Sequence, residues 1–206
     1  MSGKVIIFDL GKVIFDYDLN IISKSLSEYS PKKELFEDID AFIYTHKDLF
    51  FTYEKGLISS SDFYKEFLKL VEIKDLPYDK FCDIWNDIFT PIQDVMDLVI
   101  SLAHRYELAL LSNTNELHFD YLYKKYSDFF MNFKKLHLSH IMNARKPDAE
   151  IYEQVLKYHN VEPQNMFFTD DNKENVYAAM AMGIKAFSFK NIIKLRQDLE
   201  CFGIEV

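Results

Sequence analysis

The chain has 206 residues, 49% of them hydrophobic and 28% charged, with a formal net charge of -9. That length suits one α/β domain or a core with a small insert, and the apolar share is enough for a packed interior. The acidic balance argues against a nucleic-acid partner, which would need clustered Lys and Arg. No apolar run approaches a membrane span. The two cysteines, Cys82 and Cys201, are too far apart to suggest a zinc site or a disulfide framework. The expectation is a cytoplasmic protein whose partner is a small molecule. The sequence leaves the oligomeric state open.

The first apolar run covers residues 5–8 and is bounded by charge, as in a strand buried on both faces. Similar runs recur at 108–111, 166–168 and 186–189, with a shorter candidate at 136–138. Helical patterns lie between them. Val95, Leu98, Val99 and Leu102 follow an i, i+3, i+4, i+7 spacing, with Pro91 expected at the helix start. Ile151, Val155 and Leu156 mark a second helix. Val176, Ala179 and Met180 mark a third, ended by Gly183. Alternating strand and helix predicts an α/β, Rossmann-like parallel sheet covered by helices on both faces.

Residues 18–90 contain no strand run. Ser60 or Ser61 could cap a helix burying Phe63, Phe67, Leu70 and Val71, and Asp79 could open another burying Phe81, Ile84, Trp85 and Ile88. The predicted division is therefore a core of residues 1–17 and 91–206, with a small all-helical cap, 18–90, inserted after the first strand. Ligands in such sheets bind beyond the carboxyl ends of the strands, so an insert at that point would cover the site.

Four segments carry candidate chemistry. Asp9-Leu10-Gly11-Lys12-Val13 follows the first strand, and Ser112-Asn113-Thr114-Asn115 follows the second. Arg145-Lys146-Pro147 precedes a helix, and Asp170-Asp171 follows the third strand, with Asn175 shortly after. Singly, each acid or hydroxyl could be a turn or helix cap, and Lys146 a solvated lysine. One parallel sheet, however, places them all at one edge. A carboxylate can attack phosphorus and divide a hard hydrolysis into two displacements. Two anions then need a hard cation between them, and Mg²⁺ binds through one or two carboxylates plus phosphate. Asp9 and Asp170 would supply those carboxylates, Lys146 would neutralise phosphoryl charge, and Ser112 would donate a hydrogen bond.

These segments, in order, resemble the four motifs of the haloacid dehalogenase-like hydrolase superfamily, from residue 4 to about 190. Residues 53–59 resemble the turn between helices of its helical cap. The Asp-Leu-Gly opening, the Leu-Ser-Asn-Thr-Asn run and the Arg-Lys-Pro segment resemble a bacterial branch similar to alpha-D-glucose-1-phosphate phosphatase. The resemblance implies Asp9 as nucleophile and metal ligand, a backbone carbonyl of Gly11 on Mg²⁺, and Asp170 as a further ligand. It implies Ser112, Asn113 and Lys146 around the phosphoryl group. Asp171 would then orient Lys146 or a metal-bound water. The expected activity is hydrolysis of a small phosphorylated metabolite, a sugar phosphate above others, through an aspartyl-phosphate. The alternatives are a metal-independent 2-haloacid dehalogenase and a non-catalytic phospho-ligand-binding protein.

One departure stands out. Phosphatases of this superfamily carry an acid two residues after the nucleophile, and here that residue is Gly11. Asp16, Asp18, a cap residue or water could supply the proton; both aspartates also suit solvated turns. A missing acid costs about two to four orders of magnitude for a poor leaving group. Sugar 1-phosphates, whose leaving oxygen is more acidic, are therefore expected ahead of 6-phosphates. His46, Glu54, Trp85 and Asn86 are the cap residues to watch, with Trp85, on an apolar helical stripe, better suited to the cap core than to a ligand.

Overall fold

The computed structural model describes residues 3–206, so the first two positions of the expected core segment 1–17 lie outside the described residues. The strands are β1 (Val5–Phe8), β2 (Phe15–Tyr17), β3 (Phe89–Pro91), β4 (Glu107–Ser112), β5 (Lys135–Leu138), β6 (Met166–Asp170) and β7 (Lys185–Ser188). Between β2 and β3 lie α1 (Leu19–Ser27), α2 (Ile39–Thr45), α3 (Lys47–Glu54), α4 (Ser60–Leu70) and α5 (Tyr78–Asn86). The remaining helices are α6 (Gln93–Ala103), α7 (Glu116–Lys125), α8 (Ser127–Phe130), α9 (Ser139–Met142), α10 (Ala149–His159), α11 (Lys173–Ala181) and α12 (Ile192–Cys201).

Five strands form one parallel sheet in the order β5-β4-β1-β6-β7, as the α/β reading requires. Alternate side chains of the continuous apolar runs enter two separate cores. Ile6, Phe8, Leu108, Leu110 and Phe167 pack with α6 and α12 on one face. Val5, Ile7, Ala109, Leu111 and Phe168 pack with α10 and α11 on the other. Burial on both faces is why these strands lack the polar–apolar alternation of a half-exposed strand. Gly183, at φ +84, ends α11 as expected.

The helices between β2 and β3 bury their own aromatic cluster. Phe63 and Phe67, one turn apart on α4, meet Phe81 and Trp85 of α5 and Phe50 of α3. Phe63 is fully buried and stacks on Tyr53 at 4.1 Å between ring centroids. Full burial of such a side chain is worth about 1.5–3 kcal/mol.

Local expectations shift by a residue or more in three places. The α4 cap is Ser59, whose hydroxyl accepts from the Asp62 N–H at 3.1 Å, rather than Ser60 or Ser61. Helix α5 opens at Tyr78 after Pro77, not at Asp79. Pro91 does not start α6: it lies in β3, opposite Phe15, and α6 begins at Gln93. The antiparallel β2–β3 ribbon joins the helical segment to the sheet. Its strands are three residues each, too short to show a periodicity. Among the described residues no helix is long and apolar enough to cross a membrane.

Candidate active site

Parallel register brings the expected residues to one edge. Phe8 lies opposite Leu110 on one side and Thr169 on the other, so β1, β4 and β6 end together. The next residues out are Asp9 and Asp170, and Ser112 ends β4 one residue further along. The Asp9 N–H donates to the Thr169 carbonyl at 3.0 Å, and the Leu10 N–H donates to Asp9 Oδ1 at 2.7 Å. This is also the point where the chain, having gone from β1 to β4 and β5, crosses to β6 on the opposite side of β1.

Lys146 comes from the loop before α10 and is 1% exposed. Its ammonium lies 2.7 Å from Asp9 Oδ1 and 2.6 Å from Asp170 Oδ2, and donates to the Leu111 carbonyl at 2.9 Å. The ammonium thus donates to Asp170 and Leu111 and is paired in charge with Asp9 as well. Burial works against the charge, but Asp9 and Asp170 outweigh it and hold the amine above its usual range. Asn113 fixes this lysine from the other side. Its Nδ2 donates to the Lys146 carbonyl at 2.9 Å, and its Oδ1 accepts from the Lys146 N–H at 2.8 Å. The Asn113 side chain is thus engaged in positioning the lysine.

The two neighbouring acids divide differently from the expectation. Asp170, fully buried, accepts from Lys146, from the Asn172 N–H at 2.8 Å and from Asn175 Nδ2 at 3.0 and 3.1 Å. It is therefore Asp170, not Asp171, that orients Lys146. Asp171 is exposed, and among the described residues no side-chain donor meets its carboxylate. Partial desolvation at the sheet edge and the Asp170 charge push Asp171 upward, although the residue as a whole is exposed. Burial raises Asp9 to about 8, with Lys146 opposing and Asp170 adding to the rise.

Carboxylate oxygens of Asp9, Asp170 and Asp171 all lie within 4.8 Å of one another. Three hard oxygens around one buried lysine leave an excess of negative charge that a divalent cation would relieve. The loop supplies a fourth candidate. The Leu10 carbonyl accepts from Ile14 and Phe15, and the Phe15 carbonyl from Lys12, but no loop N–H is bonded to the Gly11 carbonyl. The donor set suits Mg²⁺.

Neither aspartate weighed for the missing acid reaches this site. Asp16 is exposed and pairs with Lys12 at 2.6 Å. Asp18 caps α1, accepting from the Asn20 N–H at 2.9 Å. The position vacated at Gly11 is filled by another residue that sequence reasoning missed. A Cβ on Gly11 would lie 2.9 Å from Cε1 of Tyr17. Tyr17 stands six residues away and returns through β2, and no local signal places its ring against Gly11. Burial, with Asp171 and Asp9 nearby, pushes its phenol up to about 12.

A cavity of about 300 Å³ opens over Gly11, Ser112 and Asn113 and extends beneath the cap. Glu54 and Trp85 line it. Glu54 is tied to Arg145 at 3.0 Å, and Trp85 is also part of the cap core. His46 does not line it but packs on Phe42, and Asn86 lies buried in α5.

Residues 6–189 match the family model described as haloacid dehalogenase-like hydrolase. The chain belongs to that family. It is 27% identical to D-ribitol-5-phosphate phosphatase of Bacteroides thetaiotaomicron over 205 residues, 95% of this chain and 96% of that protein. It is 26% identical to flavin mononucleotide hydrolase 1 of Arabidopsis thaliana, covering 85% of this chain and 68% of that one. A haloacid dehalogenase family enzyme from B. thetaiotaomicron, solved in complex with magnesium and inorganic phosphate, superposes with a TM-score of 0.80 at 25% identity. That match covers 93% of this chain and 98% of the other.

Proposed function

We propose that this protein is a magnesium-dependent phosphoric monoester hydrolase that acts on a small phosphorylated metabolite through an aspartyl-phosphate on Asp9. The observation that carries the reading is the buried Lys146 clamped between Asp9 and Asp170, with Asp171 left open beside them. Two relatives named as hydrolases of phosphate esters, and a similar enzyme solved with magnesium and phosphate, support it.

Asp9 attacks phosphorus; the new Asp–O–P bond forms as the ester oxygen leaves, and water then cleaves the acyl phosphate. Lys146, held by Asp170, Leu111 and the Asn113 clamp, presents a fixed positive charge to the phosphoryl oxygens. Ser112 and the backbone N–H groups after β4 hold the same group. Asp9, the Gly11 carbonyl and Asp171 would hold Mg²⁺, because both carboxylate oxygens of Asp170 are engaged by Lys146, Asn172 and Asn175. Bound Mg²⁺ neutralises the charge between carboxylate and phosphate. Residues 18–90 serve as the cap that chooses the substrate.

Acid quenching during turnover of acetyl phosphate should trap a phosphorylated Asp9 peptide, detected by mass spectrometry, and EDTA should abolish it. Halide release from a 2-haloacid that survives EDTA would overturn the reading in favour of a dehalogenase.

A further inference from the structure

Polarity is unevenly distributed over the cavity. Its floor is the sheet edge, with Ser112, Asn113 and Thr114. The walls beneath the cap are Leu19 and Ile22 of α1, Ile39 and Ile43 of α2, Trp85 of α5 and Ile88 just beyond it. Phe50 and Phe89 extend the same surface. These residues come from four helices and the ribbon, yet nearly all are aliphatic or aromatic.

Tyr53, Glu54 and His118, three of the polar groups among these walls, are already committed, which leaves the Tyr17 phenol, beside Gly11, and Asp40. The Tyr53 hydroxyl shares a hydrogen bond with Ser60 at 2.9 Å and accepts from the Leu117 N–H at 3.4 Å. Glu54 holds Arg145. His118 uses both ring nitrogens: one lies 3.0 Å from the Trp85 carbonyl, and the other 3.1 Å from Asn115 Nδ2. Burial keeps that imidazole neutral, well below its usual range at about 4. Asp40 is exposed, at the rim. A polyol entering this space would lose water from several hydroxyls and find few partners in return, which is costly. An apolar group would lose nothing and would bury surface against the cap.

We propose that the substrate of this site is a monophosphate ester whose alcohol part is apolar, an alicyclic, branched aliphatic or aromatic group, and not a polyol. The inference rests on the phosphatase reading above and replaces the sugar phosphate expected from the sequence. The phosphate lies at the sheet edge and the apolar part under α1, α2 and α5.

Cyclohexylmethyl phosphate and glucose 6-phosphate make a matched pair. Each has a six-membered ring and a primary leaving oxygen, and they differ mainly in hydroxyls. With Mg²⁺, kcat/KM should be at least about tenfold higher for cyclohexylmethyl phosphate than for glucose 6-phosphate or D-ribitol 5-phosphate. Ile43→Asn, on a half-buried wall position, should narrow that ratio. Acetyl phosphate carries no alcohol and reports the phosphoryl chemistry alone. Turnover of acetyl phosphate with equal or better rates on the polyol phosphates would overturn the inference and leave the phosphatase reading standing. No phospho-Asp9 from acetyl phosphate would overturn the phosphatase reading itself. Calorimetry on Asp9→Asn then decides the ligand preference without turnover. Tighter binding of cyclohexylmethyl phosphate supports the inference, and equal or weaker binding than glucose 6-phosphate overturns it.

Discussion

The sheet edge and the helical cap solve opposite problems. At the edge, Asp9, Lys146, Asp170, Asn113 and Asn175 bury charge and polarity, and each is held by named partners between 2.6 and 3.1 Å. Under the cap, Phe50, Phe63, Phe67, Phe81 and Trp85 bury hydrocarbon with almost no polar partner. The edge needs fixed geometry, because a buried charge without its partner is costly. The cap needs only volume and shape, so its residues can vary without disturbing the chemistry. On the proposed reading, phosphoryl transfer and substrate choice fall on different parts of the chain.

A conservative change at the reacting carboxylate of the edge should abolish rate and spare the fold, whereas a truncation in the cap core should lower stability. Asp9→Asn should lower turnover by about 10⁴-fold or more, with the melting temperature nearly unchanged, read by phosphate release and calorimetry. Substantial residual turnover would place the nucleophile elsewhere. Phe63→Ala should destabilise the cap by about 3–5 kcal/mol, because the residue is fully buried among rings. Trp85 is the single tryptophan and sits in that cluster, stacked on His118 of α7, so its fluorescence reports the cap core and its contact with the sheet domain. A Trp85 transition that precedes loss of the far-ultraviolet signal would show the two regions separating.

Asp171→Ala should raise the Mg²⁺ concentration for half-maximal activity by about 10²-fold, with little effect on stability. Asp170→Ala should instead lower stability, since it strands Lys146. If Asp170→Ala alone shifts the Mg²⁺ requirement, the division between the two acids is wrong. The smallest effect concerns acid. Burial holds His118 at about 4 and His137 at about 3, with the neighbouring His159 adding to the second shift. Both folded values lie below the unfolded value, so their contribution is present above about pH 6.5 and is lost as pH falls below it. At pH 5 each should cost about 2 kcal/mol, measured by urea unfolding at pH 7.5 and 5. His137→Asn should flatten the part that belongs to the sheet, and His118→Asn the part beside the cap.

The residues themselves determined the sheet. Runs such as 5–8 and 166–168 are wholly apolar, which only a strand covered on both faces tolerates, and the acids that follow them end at one edge by parallel register alone. Helices α4 and α5 were legible as well, because Phe63 and Phe67, and Phe81 and Trp85, repeat at helical spacing, whereas α1, α2 and α3 were not singled out. Three features were decided only by the tertiary structure. Asp170 and Asp171 are the same residue type side by side, and the lysine that distinguishes them arrives from 24 positions away. Tyr17 reaches Gly11 through a ribbon whose strands are too short to carry a pattern. The apolar cavity wall is assembled from single residues on α1, α2, α3 and α5. Periodicity records which face of a helix is buried but not what it is buried against, and that partner is set by how separate helices pack.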